Sequence, residues 1–261
     1  MNILDAIIKQ KRSEVAEKKK MIPLEEVKQS EFFHRQTLSM KAALLDPAKT
    51  GIIAEFKRKS PSKGDINKNA DVLNVTQAYA ANGASALSVL TDGQFFGGSS
   101  NDLIKARVNQ LPIIRKDFII DEYQIVESKA MGADAILLIA ACLSPLEVKQ
   151  LAEFATLIGL EVLLELHDED ELEHICDKID LVGINNRSLK TFEVDLERSL
   201  AMAARIPEGK VKIAESGISN VETIRMFKKQ GFKGFLIGEN FMKAENPGVA
   251  FEQFVNLLRD N

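Results

Sequence analysis

The sequence predicts an α/β protein, a (β/α)8 TIM barrel that follows an N-terminal helical extension. Three observations predict this fold: the length of 261 residues, a series of short apolar runs after residue 50, and amphipathic segments between those runs. Single barrels of this kind commonly need roughly 250 residues. We therefore expect one domain over 1–261, with the helical extension at 1–50 and the barrel at 51–261.

The apolar runs predict the barrel strands. They are rich in Ile, Leu and Val and mostly continuous, which is typical of parallel strands covered on both faces. Successive runs begin 20 to 33 residues apart, enough for a strand, a helix and two loops. The eight runs cover 51–56, 84–90, 111–115, 135–139, 161–165, 181–184, 211–214 and 234–237.

The segments between the runs carry helix signals. Asp71 precedes a stretch with apolar residues on one face, and Ser144 begins a capping box that ends at Glu147. Asp121 and Asn220 stand where further helices would start. An open, doubly wound sheet is the alternative architecture, but it usually has a GxGxxG turn after its first strand, and no run is followed by one.

The composition argues against several classes of protein. The chain has 38 Asp+Glu and 34 Lys+Arg, a net charge of −4, whereas a nucleic-acid-binding protein would show a basic stripe. The longest apolar run, 135–143, is far shorter than the roughly 20 residues that cross a bilayer. Asp5 interrupts the first apolar stretch, which is unlike a signal peptide. The two cysteines form no CxxC pair, as expected of a reduced, cytoplasmic protein.

The histidines do not predict a metal site. His167 and His174 are seven residues apart and could share one helix face, but no third ligand stands near them in the sequence. We therefore expect surface or helix-capping roles for both, and we expect no metal.

Charged and amide side chains gather where the apolar runs end. Enzymes with this fold hold their active sites at the C-terminal ends of the strands. Burying so many charges is costly unless they have a task or pair with one another, so a purely structural ion-pair network is the alternative. The residues are Glu55, Lys57, Lys116, Glu165, Asn185 and Glu215.

These residue types favour acid–base chemistry. Lysine and glutamate act as acid and base when burial and neighbouring charges shift their pKa values. A Schiff base on Lys57 or Lys116 is a further option. The turns Ser216-Gly217 and Gly238-Glu239 follow the seventh and eighth runs, where these barrels commonly bind phosphate. The alternative is that both glycines only allow tight turns.

Several motifs together resemble the indole-3-glycerol-phosphate synthase family. The segment IAEFK at 53–57, followed by SPSKG at 60–64, resembles the first-strand signature of that family. The resemblance continues in order over essentially all of 50–243, and the N-terminal extension is also similar. Its further segments lie at 87–92, 96–99, 115–119, 164–166, 182–187, 214–218 and 235–239.

The resemblance implies a cofactor-free carboxy-lyase of tryptophan biosynthesis. Its reaction would convert 1-(2-carboxyphenylamino)-1-deoxyribulose 5-phosphate into indole-3-glycerol phosphate by ring closure, decarboxylation and dehydration. Lys116 corresponds to the general acid, and Lys57 would hold the substrate carboxylate and help to bind phosphate. Glu55 and Glu165 match the carboxylates that serve the other proton steps. The resemblance also implies that Asn185 and Glu215 hold the sugar hydroxyls and orient the lysines.

The resemblance also implies the substrate-binding residues. The aromatic end would be lined by Ser60, Pro61, Phe96, Phe118 and Arg187. Phosphate would bind backbone N–H groups of Ser216, Gly217, Gly238 and Glu239, with the Glu239 side chain pointing to solvent. Further substrate contacts are predicted at Leu189, Leu236 and Ile237. Two positions depart from the family pattern, namely Ser188, where Asp is common, and Asn240, where smaller residues are frequent.

Two other functions are alternatives to the synthase activity. Phosphoribosylanthranilate isomerase, by family resemblance, would use a Cys base and an Asp acid, yet neither Cys142 nor Cys176 ends the first run. A non-catalytic barrel that binds a phosphorylated metabolite would be expected to lose the acid–base set. The expected partner is a small phosphorylated substrate, with no nucleic acid and no membrane. The sequence leaves the oligomeric state open, and a monomer is favoured.

Overall fold

A computed structural model describes residues 3–188 and 193–260 of the chain. Within these residues, eight parallel strands close into a barrel in which each strand pairs with the next along the chain and the last pairs with the first. The strands are β1 (Ile52–Phe56), β4 (Ala86–Leu90), β5 (Ile113–Lys116), β6 (Ala135–Ile139), β7 (Glu161–Leu166), β8 (Leu181–Asn185), β9 (Val211–Glu215) and β10 (Gly234–Ile237). A short hairpin, β2 (Lys59–Ser60) and β3 (Gly64–Asp65), follows β1.

The barrel prediction is confirmed, and each predicted strand boundary lies within two residues of the observed one. The strands β5, β8 and β9 each extend one residue further at their C-terminal ends than the predicted runs. Lys116, Asn185 and Glu215 are therefore the last residues of these strands rather than loop residues. A terminal strand residue is fixed by the sheet hydrogen bonds, so these side chains are held more rigidly than loop residues would be.

The helices lie outside the barrel strands and begin at the predicted caps. Ser144 and Glu147 form the reciprocal capping box, and the side chains of Asp71, Asp121 and Asn220 accept backbone N–H bonds at three other helix starts. The helices are α1 (Ile3–Met21), α2 (Leu24–Val27), α3 (Met40–Leu45), α4 (Val72–Ala81), α5 (Gly93–Phe96), α6 (Ser100–Ala106), α7 (Glu122–Ala130), α8 (Pro145–Leu157), α9 (Leu196–Ala203), α10 (Val221–Lys229), α11 (Glu239–Met242) and α12 (Pro247–Arg259), with 3-10 turns at Ala140–Cys142 and Glu169–His174.

The N-terminal extension closes the bottom of the barrel through α3. The carboxylate of Glu161, the first residue of β7, accepts the N–H groups of Met40 at 2.8 Å and Lys41 at 3.0 Å. This contact places α3 at the N-terminal ends of the strands, where Met40 and Leu44 are buried with the apolar residues of the barrel interior. The extension is less helical than predicted, because turns and extended backbone occupy 28–39 between α2 and α3.

The other end of the extension reaches the opposite rim of the barrel through α1. The ammonium group of Lys11 is 2% exposed and lies 3.0 Å from Asp92 Oδ2 and 2.9 Å from Asp117 Oδ1. Burial works against that charge, but the two carboxylates raise the pKa of Lys11 above its usual value. Since Asp117 follows Lys116 directly, this buried cluster joins α1 to the strand end that carries Lys116.

We expect Lys11→Met to destabilise the fold by about 3–5 kcal/mol at neutral pH, because it removes the buried cation that Asp92 and Asp117 share. Burial works against the ionised form of Asp117, but Arg115 and Lys11 hold its pKa below the usual value. A carboxyl group whose pKa is lowered by folding stabilises the folded state at pH values above its unfolded-state pKa of roughly 4. This stabilisation is lost as the pH falls through the lower, folded-state pKa. Denaturant unfolding should therefore show a wild-type advantage that shrinks in acid. Lys20→Met, on the exposed face of α1, is the control, and an equal effect of both variants would contradict the account.

Candidate active site

Three strand ends bring one lysine and two glutamates into direct contact. Lys116 Nζ of β5 lies 2.8 Å from Glu165 Oε2 of β7 and 2.6 Å from Glu215 Oε2 of β9. Both distances fit charge-assisted hydrogen bonds, and the three side chains are at most 13% exposed. The strand ends predicted from sequence thus converge in one buried cluster.

The cluster contains both a proton donor and a proton acceptor. Burial and the negative charge of Glu165 raise the pKa of Glu215 to about 8, although the Lys116 ammonium group acts to lower it. Burial also acts to raise the pKa of Glu165, but Lys116 and His167 hold it well below its usual value. Burial would lower the pKa of Lys116, yet the surrounding glutamates raise it. The two carboxyls titrate as a pair, and the raised pKa of Glu215 favours a shared proton on that pair beside a charged lysine.

A second ion pair lies at the end of β1. Lys57 Nζ is 2.7 Å from Glu55 Oε1, and the Ser88 hydroxyl donates to Glu55 Oε2 at 3.3 Å. A Cβ atom at Gly238 would lie 2.5 Å from Glu55 Oε1, so the absence of a side chain at position 238 makes room for this carboxylate. The ion pair therefore borders the loop that follows β10.

Asn185 contacts a glutamate rather than a lysine. Its amide group donates to Glu165 Oε1 at 3.2 Å, and its side-chain oxygen accepts the backbone N–H of Arg187 at 3.0 Å. Of the two residues predicted to orient a lysine, Glu215 is the one that contacts Lys116. Gly183 has a role that the sequence analysis missed, because a Cβ there would lie 2.1 Å from Glu215 Oε1.

The expectation of a surface position is wrong for both His167 and His174, whereas the alternative of a capping role fits His174, whose Nδ1 lies 3.0 Å from the Glu171 carbonyl oxygen at the end of the 3-10 turn. His167 is 3% exposed and His174 is 8% exposed. His167 follows the end of β7, and its Nε2 lies 3.2 Å from Glu165 Oε1. The signal in the sequence was its position two residues after Glu165, which places both side chains on the same face of an extended strand.

The turn after β9 has two successive residues in the left-handed backbone region. Ser216 has φ of 67° and Gly217 has φ of 70°, and Ser216 is the non-glycine residue of the described chain that takes a positive φ. Such strain persists where surrounding contacts enforce it. Here the Asn186 amide donates to the Ser216 carbonyl at 2.7 Å, and a Cβ at Gly217 would lie 2.4 Å from Val194. The turn is therefore held in one conformation.

The Glu239 carboxylate is 38% exposed but does not simply point to solvent as predicted. It lies 3.6 Å from Arg187 Nη2 and 4.0 Å from Lys63 Nζ. These two cations offset its negative charge, which reduces its repulsion of an anion bound at the neighbouring backbone.

These groups line one cavity of about 440 Å³. All of the predicted site residues line it except Leu189, which lies outside the described residues. The rings of Phe96 and Phe118 have centroids 6.0 Å apart and form an aromatic wall. The sequence analysis missed contributions from α1 and β6, because the amphipathic pattern of a helix does not say which end of a barrel it covers. These additional apolar residues are Ile3, Leu4, Ile7, Leu137 and Ile139.

No group of three or more His, Cys, Asp and Glu side chains at 3–188 and 193–260 is placed to hold a metal ion. Over the same ranges, no helix is both long and apolar enough to cross a membrane.

Comparisons with solved structures support the fold. The chain is similar to a mutant tryptophan synthase alpha-subunit from Pyrococcus furiosus, with a TM-score of 0.61 and 17% identity over 81% of this chain and 98% of that one. It is also similar to thiamine phosphate pyrophosphorylase from Pyrococcus furiosus, with a TM-score of 0.61 and 16% identity over 85% and 98% of the two chains. At these identities the likeness concerns the barrel alone.

Sequence comparisons are more specific. Residues 4–254 match the family model described as indole-3-glycerol phosphate synthase. The indole-3-glycerol phosphate synthase of Bacteroides thetaiotaomicron is 49% identical over 259 residues, which cover 99% of each chain. The protein of the same name from a Polaromonas species is 43% identical, covering 98% of this chain and 99% of that one. The chain therefore belongs to the indole-3-glycerol phosphate synthase family.

Proposed function

We propose that the chain converts 1-(2-carboxyphenylamino)-1-deoxyribulose 5-phosphate into indole-3-glycerol phosphate, carbon dioxide and water. The observation that carries this proposal is the contact of Lys116 with both Glu165 and Glu215, in the same cavity as the Ser216–Gly217 turn. That arrangement provides an acid, a base and an anion-binding backbone for one small phosphorylated molecule, and it accords with the family to which the chain belongs.

The proposed binding mode uses the two ends of the cavity. The phosphate binds backbone N–H groups at Ser216–Gly217 and Gly238–Glu239, beyond the strands where barrels commonly hold phosphate. The aromatic ring lies against Phe96 and Phe118. Lys57, whose side chain is 17% exposed, offers a positive charge to the substrate carboxylate when it leaves its contact with Glu55.

The proposed chemistry begins with ring closure at Lys116. The ring carbon that carries the carboxylate attacks the ketone carbon, and Lys116 protonates the carbonyl oxygen as its negative charge develops. The carbon–carboxylate bond then breaks, and its electron pair restores the aromatic ring as carbon dioxide leaves. No step requires a covalent bond to the protein.

The dehydration that follows needs one acid and one base. The new hydroxyl leaves as water after it takes a proton, and a C–H proton is then removed to complete the indole. Glu165 and Glu215 are placed for these steps because both line the cavity and contact Lys116, and their pKa values are shifted in opposite directions, as an acid and a base require. Glu55 also lines the cavity and is available as an alternative base.

A turnover assay tests the proposed function. We expect the purified chain to convert the carboxyphenylamino-deoxyribulose phosphate into a product with indole fluorescence, with release of one carbon dioxide per product. Phosphoribosylanthranilate is the control substrate, because its turnover would favour the isomerase. Absence of indole product from a folded protein would contradict the proposal, and binding without turnover would favour a non-catalytic barrel.

The phosphate site is tested by Gly217→Ala. We expect a rise in KM of about tenfold or more with a smaller change in kcat, since a Cβ would strain the left-handed backbone and press on Val194 at 2.4 Å. Gly209→Ala is the matched control, because Gly209 has φ of +84° but no atom within 4 Å of the added Cβ. Inhibition by inorganic phosphate should weaken in the first variant alone. Equal KM values in both variants would contradict this assignment.

We also propose that the protein acts as a cytoplasmic monomer of one domain, without nucleic-acid or membrane partners. The net charge of −4 supports the first of these exclusions. Light scattering of the purified chain tests the monomer, and a mass of twice 28.9 kDa would contradict it.

A further inference from the structure

His167 is a buried ring without an aligned hydrogen bond to the part of the chain that the structure describes. Its Nε2 lies 3.2 Å from Glu165 Oε1, and its Nδ1 lies 3.9 Å from Glu171 Oε2, so carboxylates flank both sides of the ring. Neither ring nitrogen has an aligned hydrogen-bond partner among the described residues. Buried polar groups are usually satisfied, and those that are not often have a functional reason.

His174, the second buried histidine in this region, has a structural role. His174 Nδ1 lies 3.0 Å from the Glu171 carbonyl oxygen, and its Nε2 lies 2.9 Å from the Leu143 carbonyl oxygen. These contacts brace the 3-10 turn Glu169–His174 that carries Glu171. His167 has no comparable backbone partners and instead faces the carboxylate proposed to act in catalysis.

The proposed reaction consumes one proton in each turnover. The ketone oxygen gains one proton at ring closure and the leaving hydroxyl gains a second, whereas the final step returns only one from carbon. Decarboxylation releases no proton because the substrate carboxylate is ionised. Overall, the ionised substrate and one proton give the product, carbon dioxide and water. The site must therefore hold that proton in reserve while bound substrate shields the cavity from solvent.

We infer that His167 is a positioning residue that stores this proton for Glu165. As the hydroxyl leaves, the ring turns to align Nε2–H with Oε1 of the ionised Glu165, which lies 3.2 Å away. The N–H bond breaks, its electron pair stays on nitrogen, and the proton passes to Glu165, which hands it on to the leaving oxygen. The ring is then neutral, with its hydrogen on Nδ1 beside Glu171. After product leaves, a proton from water returns to Glu165 through the open cavity and passes to Nε2. This inference rests on the proposed function.

The charges around the ring support an imidazolium. Burial lowers the pKa of His167, but Glu165, Glu171 and Glu215 raise it, and the net direction is upward. Lys116 is the cation that faces the same cluster from β5, and it is already paired with Glu165 and Glu215. The Cys142 thiol faces the same carboxylates, and burial with their charges raises its pKa, so it stays neutral.

The test compares His167→Asn with wild type over a range of pH. Asparagine can still donate to Glu165 but cannot store a proton. We expect kcat to fall by about 10- to 100-fold at neutral pH with KM nearly unchanged, and we expect the activity of the variant to rise as the pH is lowered. His174→Asn is the control, since loss of a structural contact should lower stability without moving the pH profile.

Nitrogen NMR of the wild-type ring gives a readout that does not depend on the variant folding. We expect both His167 nitrogens to show imidazolium shifts above pH 7, and we expect this protonation to shift to lower pH in Glu165→Gln. A ring that is neutral at pH 6, or a pH profile that His167→Asn leaves unchanged, would overturn the inference. Absence of turnover by wild type would instead overturn the proposed function, so the two failures are distinguishable.

Discussion

Lys116→Met is expected to lower kcat by about 10³-fold or more while substrate still binds. General acid catalysis contributes about 10² to 10⁴ in rate, and this substitution also removes the cation that lies 2.8 Å from Glu165 and 2.6 Å from Glu215. The two carboxylates then face each other without a counter-charge, so they are expected to take up a proton and lose their separate acid and base roles. Steady-state kinetics should show the loss in kcat with KM changed little.

Lys149→Met makes the same substitution on the exposed face of α8 and is expected to leave kcat unchanged. Calorimetry with the substrate separates binding from turnover in the Lys116 variant. Near-normal kcat in Lys116→Met would remove this residue from the chemistry and with it the proposed first step.

Glu165→Gln is expected to lower kcat by about 10²- to 10⁴-fold, the usual range for an acid–base group. The amide keeps the shape of the side chain but can neither accept nor deliver a proton, and it removes the negative charge that faces Lys116 and His167. We expect the alkaline part of the pH profile to change as well, because the pKa of Glu215 is raised partly by Glu165 and should fall when that charge is absent.

Glu153→Gln, on the exposed surface of α8, is the control for this substitution and should retain wild-type kcat. A loss of less than about threefold in Glu165→Gln would exclude the acid–base role, given the usual size of such contributions.

Much of the site could be predicted because a barrel gathers the ends of distant strands. Once the eight apolar runs are assigned as parallel strands, Lys116, Glu165 and Glu215 must share one rim, whatever their separation in the chain. The glycines at 217 and 238 follow in the same way, since Gly217 comes two residues after the end of β9 and Gly238 comes directly after the end of β10. The pattern of the apolar runs therefore determines which residues form the site.

The particular contacts could not be predicted, because they depend on side-chain directions and on packing between distant elements. The sequence gives no sign that Lys11 enters a buried cluster with Asp92 and Asp117, since a lysine in a charged helix is usually solvated. The sequence predicts a surface or capping role for His167, because its one visible feature is its spacing from His174. The strand that carries Glu165 in fact extends to Leu166, which leaves His167 buried beside it.

The central claim is that one cavity holds the phosphate at the turns after β9 and β10 and the ketone at Lys116. A crystal structure of Lys116→Met with bound substrate tests this claim most directly, because the variant should bind without turnover. We predict phosphate oxygens on the N–H groups of Gly217 and Gly238, the aromatic ring against Phe96 and Phe118, and the ketone oxygen facing the substituted residue. A phosphate bound elsewhere, or a ketone that faces away from the end of β5, would contradict the account.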